Sequence, residues 1–190
     1  MLEQQLSFGA ASADPSLAGV DASRLRGVVD RHFDGLWRFL RRLGIAEPDV
    51  DDAIQEVILV VARRLDDIEE ASERSFVFST AFRVASDMRR RAGRRREVGD
   101  AALAELHSPG LDPEASVEKQ RLTVLFAQVL EQLPLELRAV FVLYELEDFT
   151  MAEIAVTLGV PPGTVASRLR RGREAFERLA AKSLGQEFSP

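Results

Sequence analysis

"TMAEIAVTLGVPPGTVASRLRRGREAFERLAAK", residues 150–182, is the stretch on which the reading of this chain turns. Thr150 and Glu153 stand at capping-box spacing, so a helix starts there, with Ile154 and Leu158 on its buried side. Gly159 follows where a tight turn needs a permissive residue. A longer helix opens near Pro162 and turns Val165, Leu169, Phe176 and Leu179 inward. Short helix, glycine turn, longer helix is the pattern of a helix-turn-helix. The outward side of the second helix carries Thr164, Ser167, Arg168 and Arg171, side chains suited to base edges and phosphates in a major groove. A plain helical hairpin with a basic exterior has the same spacing. The coincidence of cap, turn and basic face favours nucleic acid.

The chain upstream is helical by its periodicity, with no convincing strand. Another helix covers about Leu135 to Leu146, and one before it runs to Leu133, where Pro134 closes it. Asp112, Pro113 and Glu114 would cap and open that earlier helix. Between helical segments lies "EVGDAALAELHSPGLDPEASVEKQ", residues 97–120, rich in Gly, Pro, Ser and acids, which reads as a linker between domains. A helix from Glu73 to Ala92 places Phe78, Ala81, Phe82, Ala85 and Met88 on one face, and Gly93 is expected to break or bend it. A helix from Pro48 to Leu65 precedes it. The first runs from Ser23 to Leu43, with Leu25, Val28, Val29, Phe33, Leu36, Leu40 and Leu43 as its apolar stripe and Gly44 as its end. The predicted fold is all-α: two small helical domains joined by a flexible linker, the C-terminal one containing the helix-turn-helix. The predicted boundaries are a disordered tail at 1–22, a domain at 23–96, the linker at 97–112, a domain at 113–184 and a tail at 185–190.

Charge is unevenly distributed. The 190-residue chain carries a net charge of −6, yet "RRRAGRRR" occupies residues 89–96. A basic run inside an acidic chain suggests a localised anionic partner, against the simpler reading of a solvated helix end. Phe76, Phe78, Phe82 and Arg83 precede the run. An aromatic beside a basic helix end can stack on an unpaired base while arginine holds the backbone. In the preceding helix, Asp52, Gln55, Glu56 and Leu59 share the side opposite Val50, Ala53, Ile54, Val57, Val61 and Leu65. A solvated face is the default for such a stripe, and Leu59 within it makes a protein-docking surface the sharper alternative. Cysteine is absent, which excludes disulfides and a thiolate metal site. His32 and His107 alone cannot make a zinc site, so no cofactor is expected. No apolar stretch reaches the length of a membrane span, and the N-terminus does not read as a signal peptide, so a cytoplasmic protein with no membrane partner is expected.

Several segments, in order, resemble the sigma-70 family of sigma factors, in its small extracytoplasmic-function (ECF) type. "DVDDAIQEVILVVARRL" (49–65) is similar to that family's segment for docking on core RNA polymerase. "SFVFSTAFRVASDMRRRAGRRR" (75–96) resembles its minus-ten recognition and melting helix, with Phe76 where the family often has Trp and Val84 where it often has a polar residue. "LEQLPLELRAVFVLYELEDFTMAEIAVTLGVPPGTVASRLRRGREAF" (130–176) resembles its minus-thirty-five domain, with Pro161 in place of a common Ser cap. The resemblance implies a sigma factor that binds core polymerase and directs transcription initiation, not an enzyme. It implies that Asp52, Gln55, Glu56 and Leu59 meet the clamp helices of the largest polymerase subunit, with the C-terminal domain on the flap of the second large subunit. Phe76, Arg83, Arg89, Arg90, Arg94 and Arg95 would serve the minus-ten region, and Thr164, Ser167, Arg168 and Arg171 the minus-thirty-five major groove. An anti-sigma protein is a further candidate partner. Two rivals stand beside this reading. A stand-alone helix-turn-helix regulator would need neither the 52–59 stripe nor a second basic helix. A metal-dependent hydrolase would need its carboxylates to converge in a pocket.

Overall fold

The computed structural model describes residues 21–97 and 117–187, all helix and connecting turns, with no strand among the described residues. The N-terminal part supplies α1 (Ala22–Arg42), α2 (Glu47–Arg64) and α3 (Glu73–Glu97). The C-terminal part supplies α4 (Val117–Glu131), α5 (Leu135–Glu145), α6 (Met151–Leu158) and α7 (Pro162–Glu187). The expected opening of a helix at Asp112–Glu114 and most of the expected tail and linker lie outside the described residues.

Local chemistry sets these boundaries. The Asp21 carboxylate accepts hydrogen bonds from the Ser23 and Arg24 amides at 2.9 and 3.1 Å, satisfying two of the free donors at the start of α1. The helix therefore begins at Ala22, with Asp21 as its cap. Pro48 sits in the first turn of α2, with Glu47 and Asp49 placed to meet its positive end. Glu73 opens α3, is buried, and is held by Arg31 through two 2.9 Å contacts and by His32 at 3.0 Å. Burial alone would raise the Glu73 carboxyl, but the hydrogen bonds and charges of Arg31 and His32 outweigh it and hold it below the ordinary range.

Helix α3 does not break at Gly93; it continues to Glu97. A lone glycine costs about 1 kcal/mol against alanine, too little to end a helix flanked on both sides by arginine, a good helix former. Glu97 is thus helix and not linker. Pro134 acts chiefly on the helix after it. Its extended backbone (φ −52°, ψ 141°) begins α5, while α4 has already ended at Glu131. At the far end, Gly185–Glu187 extend α7 where a tail was expected.

Phe39, Leu40, Leu43, Val50, Val57 and Ala81 are fully buried where α1, α2 and α3 meet. Phe33, placed on the apolar stripe of α1 by periodicity, is 41 % exposed, and Phe39 takes the interior position. In the C-terminal part, α5 packs along α7. Gly172 lies at this contact, where a Cβ would lie 3.4 Å from the Leu137 carbonyl. Phe176 stacks on Phe141 at 4.9 Å between centroids and meets Phe126 at 5.4 Å.

The two parts do not stand apart. One continuous core runs from Val28 to Leu169. The α5–α6 connection, Leu146–Thr150, seats in a socket between α1 and α3. Its Phe149 is 2 % exposed, lies 5.0 Å from the Phe78 ring and has the Arg74 guanidinium 4.0 Å from its own centroid. Glu147, also buried, receives Arg42 at 2.5 Å and lies 3.7 Å from Arg38, while Arg74 donates to its carbonyl. Burial pushes the Glu147 carboxyl up, and the charges of Arg42, Arg38 and Arg74 oppose that rise. A second bridge forms where α1 ends. The Leu43 carbonyl accepts from Arg89 of α3 and from Arg138 of α5, both at 3.1 Å. Arg138 is fully buried and also donates to the Glu131 and Leu133 carbonyls. Burial and then the Arg89 charge push its guanidinium down to about 10, which leaves it cationic at neutral pH. Gly44, at φ +89°, cannot be replaced freely, because a Cβ would fall 2.4 Å from one arginine nitrogen and 2.9 Å from the other.

Candidate nucleic-acid interface

Three exposed surfaces carry the residues singled out by the sequence. On α2, Asp52, Gln55, Glu56 and Leu59 are all exposed, while Val50, Ala53, Ile54, Val57 and Val61 are buried behind them. Leu59 keeps 39 % of its surface in water, an apolar patch within an acidic stripe. That combination suits a partner surface with basic groups around an apolar centre.

On α3 the expected set divides. Arg83, Arg90 and Arg94 are exposed. Arg90 lies 3.4 Å from Asp87, an open i,i+3 pair that competes only weakly with a phosphate. Phe76 is half-buried against the core, so one part of its ring remains accessible. Arg89 is turned inward to the Leu43 carbonyl. Arg95 lies on the helix, but its side chain is outside the described ones. Val84 is buried and contributes to the core.

The third surface is the helix-turn-helix. Thr150 accepts from the Glu153 amide at 3.2 Å, and the Glu153 carboxylate accepts from the Thr150 amide at 2.7 Å, a complete capping box. The Thr150 hydroxyl, which donates to the Glu153 carboxylate at 2.7 Å, and then the Thr150 amide hold that carboxyl below its ordinary range. Gly159 adopts the left-handed conformation at φ 64°, closing α6 and re-aiming the chain. The Pro161 carbonyl then accepts from the Thr164 and Val165 amides at the start of α7. Val165 and Leu169 are buried beneath, whereas Thr164, Ser167 and Arg168 are half-exposed and Arg171 is exposed. The Arg171 Nε donates to the Ser167 carbonyl at 3.3 Å, while Arg170 pairs with Glu174 at 2.7 Å. Capped turn and buried underside together fix one face of α7 as a rigid, basic edge.

Comparison with known proteins assigns these elements. "Sigma-70 region 2" matches residues 28–95, and "Sigma-70, region 4" matches residues 123–176. The chain is 31 % identical over 170 residues to the ECF RNA polymerase sigma factor SigL of Mycobacterium tuberculosis, covering 88 % of this chain and 94 % of that one. The chain belongs to the sigma-70 family, among its ECF sigma factors. It is also 31 % identical over 156 residues to the ECF sigma factor SigE of Mycolicibacterium smegmatis, covering 82 % of this chain but only 61 % of that relative's length. In fold it is similar to the sigma factor RpoE of Bartonella quintana, solved in complex with the anti-sigma factor NepR. The TM-score is 0.69 at 20 % identity, over 81 % of this chain and 94 % of that one.

Region 2 thus spans most of α1 through α3, and region 4 runs from within α4 to the middle of α7. Among the described residues no group of three or more His, Asp or Glu side chains is placed to hold a metal ion, and no helix is long and apolar enough to cross a membrane. The residues that join the two regions, Arg138, Glu147 and Phe149, were not singled out from the sequence. Arg138 left one signal, a cation inside the apolar run "LRAVFVLY" (137–144). Glu147 left none, because an acidic turn between helices looks the same whether it faces water or a second domain.

Proposed function

We propose that the chain is a promoter-specificity subunit that docks on core RNA polymerase, recognises a promoter and supports strand opening. What supports this most is the presence of two separate DNA-directed helices and an acidic docking stripe on one chain. A stand-alone regulator has use for only one of the three. Asp52, Gln55, Glu56 and Leu59 dock region 2 on the clamp helices of the largest subunit, and region 4 meets the flap of the second. Phe76, Arg83, Arg90, Arg94 and Arg95 serve the minus-ten element, the arginines holding phosphates and Phe76 offering a face to an unstacked base. Arg89 acts there by positioning α3 against α1. Opening the duplex costs on the order of 1.4 kcal/mol per stacked step, which captured bases and phosphate contacts must offset. Thr164, Ser167, Arg168 and Arg171 enter the minus-thirty-five major groove. This role belongs in the cytoplasm. An anti-sigma protein, such as RpoE of Bartonella quintana meets in its complex, is a candidate regulator.

The docking stripe provides the test. Asp52→Arg combined with Glu56→Arg turns attraction to a basic surface into repulsion, at a cost of several kcal/mol. The expected result is loss of co-elution with core polymerase at unchanged helical content. Normal co-elution of the double variant would remove the stripe from the account.

A further inference from the structure

Within region 2, α1 reaches the start of α3 with three side chains that belong to none of the docking or DNA-directed surfaces. Arg24 donates to the Ile68 carbonyl, on the connection between α2 and α3. Two turns later, Arg31 brings its Nη2 to 2.9 Å from each oxygen of the Glu73 carboxylate, and its Nε donates to one of them at 3.2 Å. The His32 Nε2 lies 3.0 Å from that same oxygen. Glu73 is the first residue of α3 and is only 4 % exposed, whereas Arg31 keeps 53 % of its side-chain surface in water.

We propose that Glu73 is a positioning residue for strand opening: clasped by Arg31 and His32, it sets the first turn of α3 against α1 and so fixes where Phe76 offers its ring to an unstacked base. The inference rests on the promoter reading above.

The clasp sits where it can steer that ring. Glu73 and Phe76 stand three apart, so they share one side of the first turn of α3. Val77, the next residue, is 1 % exposed and anchors that side in the core, while Phe76 lies half-buried at its edge. From the C-terminal direction, the Thr80 hydroxyl donates to the Phe76 carbonyl at 2.9 Å. The Phe76 backbone is thus held from both ends. The chemistry of the clasp suits alignment more than stability. A buried ion pair recovers little more than its charges lose on leaving water, and an apolar residue of similar volume often stabilises as well. A carboxylate touched on both oxygens by one planar guanidinium is fixed in direction as well as in distance. A ring that stacks on a base needs such a fixed direction, because the contact depends on how the two faces are set.

The measurement is strand opening by holoenzyme on a promoter carrying 2-aminopurine in its minus-ten element, whose fluorescence rises as the strands part. Phe76→Ala should lower the equilibrium constant for opening roughly tenfold, the worth of one base–aromatic stack. Glu73→Gln should lower it to a similar extent, at unchanged helical content and unchanged co-elution with core polymerase. Added to Phe76→Ala, Glu73→Gln should have no further effect, because the ring it positions is gone. A residue that only held region 2 together would lower opening by the same factor with or without Phe76. Arg31→Gln, on the exposed side of the clasp, should reproduce the pattern, and it carries the test alone should Glu73→Gln fail to fold. The clasp is overturned if both variants open the promoter like the unsubstituted chain, or if their losses multiply with that of Phe76→Ala. Undiminished opening by Phe76→Ala would instead defeat the capture of a base by Phe76, and the clasp's role with it. Absence of any core-dependent opening would defeat the promoter reading as a whole.

Discussion

Arg89, Arg90 and Arg94 lie close together along α3 but meet different surroundings. Arg89 is half-buried and donates to the Leu43 carbonyl, where α1 presents its negative end. Arg90 and Arg94 face water. An arginine turned inward to a protein carbonyl is not placed to neutralise a phosphate, so it displaces no counterion from the DNA. Arg90→Ala and Arg94→Ala should therefore each flatten the salt dependence of holoenzyme binding by about one unit of slope or less. Arg89→Ala should leave that slope unchanged. The measurement is the promoter-binding constant over a salt series, and a flattened slope for Arg89→Ala would return that residue to the DNA surface. The sequence showed the whole run as one basic block. It could not separate its members, because which arginine turns inward depends on a carbonyl supplied by another helix.

At the scale of elements, α6 and α7 were legible because their signals are local. Thr150 and Glu153 cap, Gly159 turns, and Val165 and Leu169 repeat on one side, all within a short span. Gly93 misled for the converse reason: a breaker residue is a weak preference, and the arginine-rich helix around it prevails. The recognition helix offers its own separation of roles. Arg168 is nearer the helix start and half-exposed, while Arg171 is a turn later and exposed. Arg168→Ala should relax base preference in the minus-thirty-five element, costing roughly 1–3 kcal/mol at the cognate base and little elsewhere. Arg171→Ala should weaken all promoters alike. Transcription from a randomised minus-thirty-five library measures both, and unchanged base preferences in Arg168→Ala would show that another residue reads that base.

For the whole molecule, the helical content and the order of region 2 and region 4 could be read from the chain. The closed seam could not. Glu147 and Phe149 look like an ordinary turn, and their partners Arg42, Arg74 and Phe78 lie far away in sequence. Pairings at such separation leave no periodicity to detect. The resulting picture is a sigma factor whose regions 2 and 4 share one core. Its central claim is that promoter choice belongs to the chain and core polymerase jointly. The most direct measurement maps RNA 5′ ends made on fragmented genomic DNA by core polymerase, with and without the chain. The account predicts a discrete set of start sites that needs both components, each preceded by shared elements near minus ten and minus thirty-five. Tight binding of the same fragments by the chain alone, with no new start sites when core is added, would contradict it.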